Sequence, residues 1–318
     1  MLGKTLILDC ETASMDLRVY TCPYAVAEKK NIDYSVDGRL IHNASFPKGD
    51  SVNDAVPSDE LDASTDDIKD LALRALSLFH SFPSVKIYGM VADVDSAFQN
   101  AHASASSALH FGGIIPDTGY AAIALTAIFG YRDSPAIFAL LAKAARFYHR
   151  SGHSDIHNIP TPFHSWVWVD DFVGIEPDID DRLSLSEKRI RSAFHLVFGS
   201  PGWNLEKFAP WTNLLHAVGM DWNLMNGTIS MPEGKILKTV MKIQTCLSLI
   251  QHDTSPTLQS WRSLVGSLRH IGSCIPAVKP FYNSFVAMEK TLICRGVPDW
   301  SNLEWDLLWF LSILKKKT

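Results

Sequence analysis

Between Trp166 and Ile175 the chain reads Trp-Val-Trp-Val-Asp-Asp-Phe-Val-Gly-Ile, two adjacent carboxylates in a run that is otherwise apolar or glycine. Side chains of this kind are strand formers, and burying them as paired strands leaves Asp170 and Asp171 as the residues that cannot enter a core. The acids are therefore driven to the tip of a tight hairpin. Two carboxylates side by side repel, and a divalent cation neutralises them; oxygen-only ligands favour magnesium or manganese. An Asp-Asp pair is also an ordinary turn dipeptide for local hydrogen-bonding reasons. The metal reading therefore needs a carboxylate from elsewhere in the chain.

A second strand-like run, Val85 to Phe98, ends in acid at Asp93 and Asp95. Three short patterns then stand in order. Asp93-Val94-Asp95-Ser96-Ala97-Phe98 resembles motif A of reverse transcriptases, D-x-x-x-A-[FY]. Phe129-Gly130-Tyr131-Arg132-Asp133-Ser134-Pro135-Ala136-Ile137-Phe138 is similar to motif B, and Trp168-Val169-Asp170-Asp171 to motif C, [YF]-x-D-D. Each is weak alone; three in the family's order at palm-like spacing make coincidence improbable.

At 318 residues, 47% of them apolar, the chain can bury a substantial core and hold two or three subdomains. The N-terminal apolar run is broken by Asp9 and is too short for a secretory signal, and no run approaches a membrane span. These features predict an intracellular protein, cytoplasmic or nuclear, with no membrane partner. Cys10, Cys22, Cys246, Cys274 and Cys294 form no C-x-x-C pair and read as reduced thiols. The net charge of −5 argues at first against a nucleic-acid partner. Its distribution reverses that: from Lys235 onward there are 11 Lys and Arg against 5 Asp and Glu, or +6, leaving 18 against 29, or −11, before it.

Taken in order, residues 1–21 show no clear periodicity and read as an N-terminal extension. Strand-like pieces then alternate with Pro/Gly turns, and Arg39 to Asp54 resembles the fingers of DIRS-type and related eukaryotic retrotransposons. Asp50 to Asp70 reads as a solvated loop and Asp67 to Phe82 as an amphipathic helix. Ala108 to Gly112 and Tyr120 to Ile128 read as strands around a Pro116–Gly119 turn. A helix follows Pro135, capped by Asp133 or Ser134. His149, His153 and His157 recur every four residues, but Gly152, Asn158 and Pro160 break a helix there, so the stretch reads as a solvated loop rather than a zinc site. Leu183 to Phe198 is a further helix, Gly202 to Lys207 a turn, and Ala217 to Met231 a hairpin like motif E. From Lys235, Ile236, Val240, Ile243, Leu247 and Ile250 form a helical stripe, and Leu258 to Ile271 a second helix carrying Arg262 and Arg269.

The resemblance, spanning about Cys22 to Glu289, implies an α+β right-hand polymerase: fingers at 22–83 and 104–128, a ferredoxin-like palm with an antiparallel sheet at 84–103 and 129–234, and a helical thumb with connection at 235–318. It implies addition of deoxynucleotides to a primer 3′-OH on an RNA or DNA template, with two magnesium ions, or manganese, held by Asp93, Asp170 and Asp171. It further implies Lys207 as the group protonating pyrophosphate, and Lys29, Lys30 and Arg39 as cations for the triphosphate. The backbone of Asp95, Ser96 and Ala97 would cradle phosphate, with Phe98 beneath the sugar. Gly130 would belong to the substrate-binding set, Ser134 and Pro135 would shape the templating-base side, and Trp168, Arg262 and Arg269 would lie against nucleic acid. Trp168 departs from the usual Tyr or Phe. Asp95 is an unusual acid that an extended backbone would place on the face of Asp93. No acidic cluster of an RNase H domain follows, so RNase H or recombinase modules are expected in a parent element. A second reading is a truncated relic that keeps the fold and nucleic-acid binding without catalysis.

Overall fold

A computed structural model describes residues 3–28, 33, 35–36, 38–57, 63–252, 254–294 and 300–315. The chain divides into two compact units, Met1–Leu215 and His216–Thr318. No helix among the described residues is long and apolar enough to cross a membrane.

The first unit opens with β1 (Thr5–Asp9), β2 (Tyr24–Glu28), β3 (Gly38–His42), α1 (Ile68–Ser81) and β4 (Ile87–Asp93). After it come the short α2 (Ala105–Ala108), β5 (Gly112–Ile115), β6 (Tyr120–Ala124) and α3 (Ser134–Arg150). The unit continues through β7 (His153–Ile156), β8 (Ile159–Pro162), β9 (Ser165–Trp168), β10 (Asp171–Pro177), α4 (Arg182–Phe198) and β11 (Ala209–Thr212). Its central sheet has the order β11-β4-β10-β9. Read along the chain, β4, α3, β9, β10, α4 and β11 run βαββαβ, and that spatial order is the fourth, first, third and second strand, the ferredoxin-like arrangement. The sheet is antiparallel between β4 and β10, β10 and β9, and β11 and β4.

Why these elements form is local. Asp67 caps α1, its carboxylate accepting from the Lys69 N–H at 2.9 Å. Pro135 sits in the first turn of α3, where its missing N–H leaves no bond unmade. Alternate residues Met90 and Ala92 of β4, with Phe172 of β10, bury against Phe138, Ala142 and Ala145 of α3 and Ile190, Phe194 and Phe198 of α4. The polar end of the sheet is thereby fixed by an apolar middle.

Several expectations need correction. Residues 1–21 are not a bare extension, because β1 pairs with β6 along its whole length in the sheet β1-β6-β5. Ala108 is helical rather than extended: Ser104 caps α2 by accepting from the Ser107 N–H at 3.1 Å, and the strand begins only at Gly112. The stretch after α3 is a hairpin, not a loop. Ile156 pairs with Ile159, and His157 and Asn158 both take left-handed backbone (φ 53° and 63°), the two-residue turn that Asn favours.

The second unit begins within β12 (Leu214–Ala217), which forms a three-stranded sheet with β13 (Met220–Asn223) and β14 (Thr228–Ser230). Among the described residues four α-helices follow: α5 (Glu233–Gln251), α6 (Leu258–Cys274), α7 (Tyr282–Ile293) and α8 (Trp300–Lys315). Ile236, Ile243, Leu247 and Ile250 of α5 bury against Trp261, Leu264 and Leu268 of α6, Phe285 of α7 and Leu307 and Phe310 of α8. The stripe read from the sequence is the seam of this bundle.

Candidate active site

The β4–β10 register places Asp93 directly opposite Asp171, and the β9–β10 register places Asp171 opposite Trp168. The turn is therefore Val169-Asp170, one residue earlier than an Asp-Asp tip. Val169 has φ 54°, a conformation that a β-branched residue adopts only under strain. The carbonyl of Asp170 accepts from the Val94 N–H at 3.1 Å, which ties the turn to the end of β4. Carboxylate oxygens of Asp93, Asp170 and Asp171 lie within 4.8 Å of one another. Asp93 is 3% exposed, and the other two are half-buried.

Lys207 completes the cluster, its ammonium donating to both oxygens of Asp93 at 3.1 Å. Burial pushes the Asp93 carboxyl upward against the Lys207 hydrogen bond, and the Asp170 charge adds to the rise. Partial burial opposes protonation of Lys207, but the hydrogen bond and charge of Asp93, with Asp170 and Asp171, hold its pKa above the ordinary value. Three crowded carboxylates with a cation on the most buried one form an all-oxygen donor set that suits magnesium or manganese.

The remaining predicted residues separate into groups. Asp95 lies in the turn after β4, exposed and outside the carboxylate cluster, because the extended backbone ends at Asp93; the expectation that it shares a face with Asp93 is corrected. Its own N–H donates to the Gly202 carbonyl at 3.1 Å, which removes that amide from any phosphate cradle. Ser96 follows with left-handed backbone (φ 51°), and Ala97 opens a single 3₁₀ turn. Phe98 is half-buried, its ring 4.9 Å from that of Phe129 and 6.1 Å from that of Phe138.

Gly130 (φ 110°) passes the backbone of His42 so closely that a Cβ would lie 1.8 Å from that carbonyl oxygen. Beside it, Asn53 donates to the Gly130 carbonyl at 2.8 Å and accepts from the Arg132 N–H at 2.9 Å, so the Ser45–Asp54 loop is stitched to this segment. Ser134 is fully buried and its hydroxyl donates to the Ile128 carbonyl at 2.7 Å, a structural commitment, whereas Pro135 is exposed. Trp168 is half-buried at the end of β9. Arg39 stands exposed on the separate β2–β3 ribbon. Lys29 and Lys30 lie outside the described residues.

In the second unit, Arg262 of α6 is tied to Glu289 of α7 at 2.7 Å, and Arg269 is exposed. Sequence reasoning missed the basic surface beside them. A groove of about 480 Å³ between α5 and α6 is lined by Lys235, Lys238 and Lys242 on one side and Ser263, Gly266 and Ser267 on the other. Lys242 is drawn across it, donating to the hydroxyls of Ser263 and Ser267 at 2.9 and 2.8 Å. The signal was present: Lys235, Lys238 and Lys242 are spaced three and four apart, one face of a helix.

No family model matches the chain, and no curated protein does. Solved structures do. Foamy viral protease-reverse transcriptase in complex with dsDNA matches 93% of this chain at TM-score 0.57 and 16% identity. The same protein in complex with an RNA/DNA hybrid matches 93% at 0.57 and 17%, and its dRH form in complex with ds DNA 93% at 0.57 and 16%. The chain spans 52%, 33% and 44% of those chains respectively. The likeness is one of fold, that of a right-hand polymerase, and it agrees with the βαββαβ palm and the helical second unit.

Proposed function

We propose that this chain is a template-directed nucleotidyltransferase of the reverse-transcriptase kind, extending a primer 3′-OH with deoxynucleotides, and that it derives from a retroelement of DIRS or related type. The observation that carries the reading is the meeting of Asp93, Asp170 and Asp171 at one end of a polymerase palm. Asp93, Asp170 and Asp171 would hold magnesium or manganese, which when bound lowers the pKa of the primer hydroxyl and neutralises charge on the phosphates. Lys207, already aimed at this cluster, is placed to give its proton to the departing pyrophosphate. Phe98 presents a flat ring near the end of β4, where it offers a ribose 2′-OH neither room nor a hydrogen bond.

Template and primer are the partners of this reading, supported by the complexes in which the structural neighbours were solved. The Lys235, Lys238 and Lys242 groove supplies cations for phosphates, and the small residues facing it admit a backbone closely. The test is extension by the purified chain of a primer annealed to RNA or DNA, with deoxynucleotides and magnesium or manganese. Stepwise products are expected. Duplex binding without extension on any template or metal would favour the relic instead.

A further inference from the structure

The segment that delivers Lys207 is zipped onto the end of β4. The Asp95 N–H donates to the Gly202 carbonyl, Val94 bridges to Trp203, and the Asn204 N–H donates to the Asp93 carbonyl at 3.1 Å. Trp203 anchors this segment in the core, its ring 5.1 Å from Phe194 and 5.0 Å from Phe208.

Within the segment one side chain faces both ways. Asn204 Oδ1 accepts from the N–H groups of Glu206 and Lys207 at 3.1 and 3.3 Å, closing the turn that carries Lys207. Two amide donors aimed at one atom settle which end of the amide is oxygen. The Nδ2 end therefore points at the carboxylate, and it donates to Asp93 Oδ2 at 2.9 Å. Asn204 thus fixes the rotamer of the buried acid and the start of the lysine turn with one planar group.

We propose that Asn204 is a positioning residue, holding the Asp93 carboxylate toward Asp170 and Asp171 while setting Lys207 beside it. Its effect on cation binding rests on the cluster alone; its effect on turnover rests on the polymerase reading. A neutral donor suits the place. It restrains Asp93 without adding further charge beside the Lys207 ammonium, and since Asn204 and Lys207 both donate to Oδ2 and Lys207 alone to Oδ1, the free lone pair of Oδ1 is the one left for a metal.

The test compares the full chain with Asn204→Ala and Asn204→Ser. Serine can still accept from the turn amides, but its shorter side chain falls short of Asp93. Mn²⁺ affinity is measured by electron paramagnetic resonance, thermal stability by melting, and kcat and KM for deoxynucleotide by primer extension. Both variants should bind Mn²⁺ roughly tenfold or more weakly and lose a similar factor in kcat, the range typical of partners that orient metal ligands. KM should change far less. Asn204→Ser behaving as wild type in Mn²⁺ affinity while Asn204→Ala is impaired would reduce Asn204 to a turn former and overturn the proposal. So would wild-type affinity in both. Should Asn204→Ala fail to fold, Asn204→Ser decides. Should the wild type bind Mn²⁺ yet extend nothing, the polymerase reading fails and the affinities alone decide the role of Asn204.

Discussion

Among the described residues, Thr239 is the sole buried polar or charged side chain of the second unit, whereas the first buries Asp93, His149, Glu176, Arg182 and several hydroxyls. The helical unit keeps its interior apolar, from Ile236 through Phe310, and carries its charge outside, in the lysine groove. The palm places charge inside and satisfies it group by group. Glu176 accepts from Arg182 Nε at 2.8 Å, from Arg74 at 3.1 Å and from the His164 N–H at 2.8 Å. Such networks have one workable geometry, and they brace strands whose ends carry the carboxylates. An amphipathic bundle tolerates many packings and can present phosphate-binding charge by spacing alone. Variants in the first unit should therefore show large, specific losses, and variants in the helical unit graded, salt-dependent ones.

The hardest strain on this contrast is Arg182→Met, which leaves the fully buried Glu176 short of its main partner. Denaturant melts should show a loss of about 3–5 kcal/mol; a loss below about 1 kcal/mol would mean that the palm does not depend on its buried charges. Next comes Lys235→Ala with Lys238→Ala and Lys242→Ala. Duplex affinity should fall and its log–log salt slope flatten by up to about 0.9 for each phosphate contact removed, with melting nearly unchanged. An unaltered slope would place duplex binding elsewhere, Arg269 being the next cation to test.

A smaller effect belongs to His149, held between the hydroxyls of Ser165 and Ser186 at 3.0 and 3.1 Å, its pKa pushed by burial to about 3. Below pH 6.5 the unfolded chain takes up a proton that the folded chain refuses, so stability falls with pH, by about 2 kcal/mol at pH 5 from this group. His149→Gln should lessen that acid slope, and an identical slope would remove His149 as its source. Smallest is Phe98→Val, expected to lower the deoxynucleotide over ribonucleotide ratio of kcat/KM roughly tenfold in a folded protein. Equal loss for both sugars would make Phe98 a core residue only.

Much of the carboxylate site was legible because runs of strand formers end in acid at Asp93 and at Asp170–Asp171, and burying an apolar run leaves its charged end outside the core. The helical stripe of α5 was legible from the three- and four-residue spacing of its apolar positions. The lysine groove was not found, because Arg262 and Arg269 stand out on composition while the pairing of Arg262 with Glu289 of α7 is tertiary. Asn204 was passed over as a turn residue: nothing local says that its amide reaches a carboxylate 111 positions earlier. The β7–β8 hairpin was missed because His157 hid a turn that Asn158 alone signals weakly, and β1 because a short strand at a sheet edge has no period to read.

The central claim, that Asp93, Asp170 and Asp171 form the catalytic metal site of a polymerase, is tested most directly by Asp170→Asn, read by primer extension beside a melting curve. The account predicts that extension is abolished while the melting temperature stays equal or rises, because one of three crowded carboxylates has been neutralised. Extension at the wild-type rate in a folded Asp170→Asn variant would contradict it.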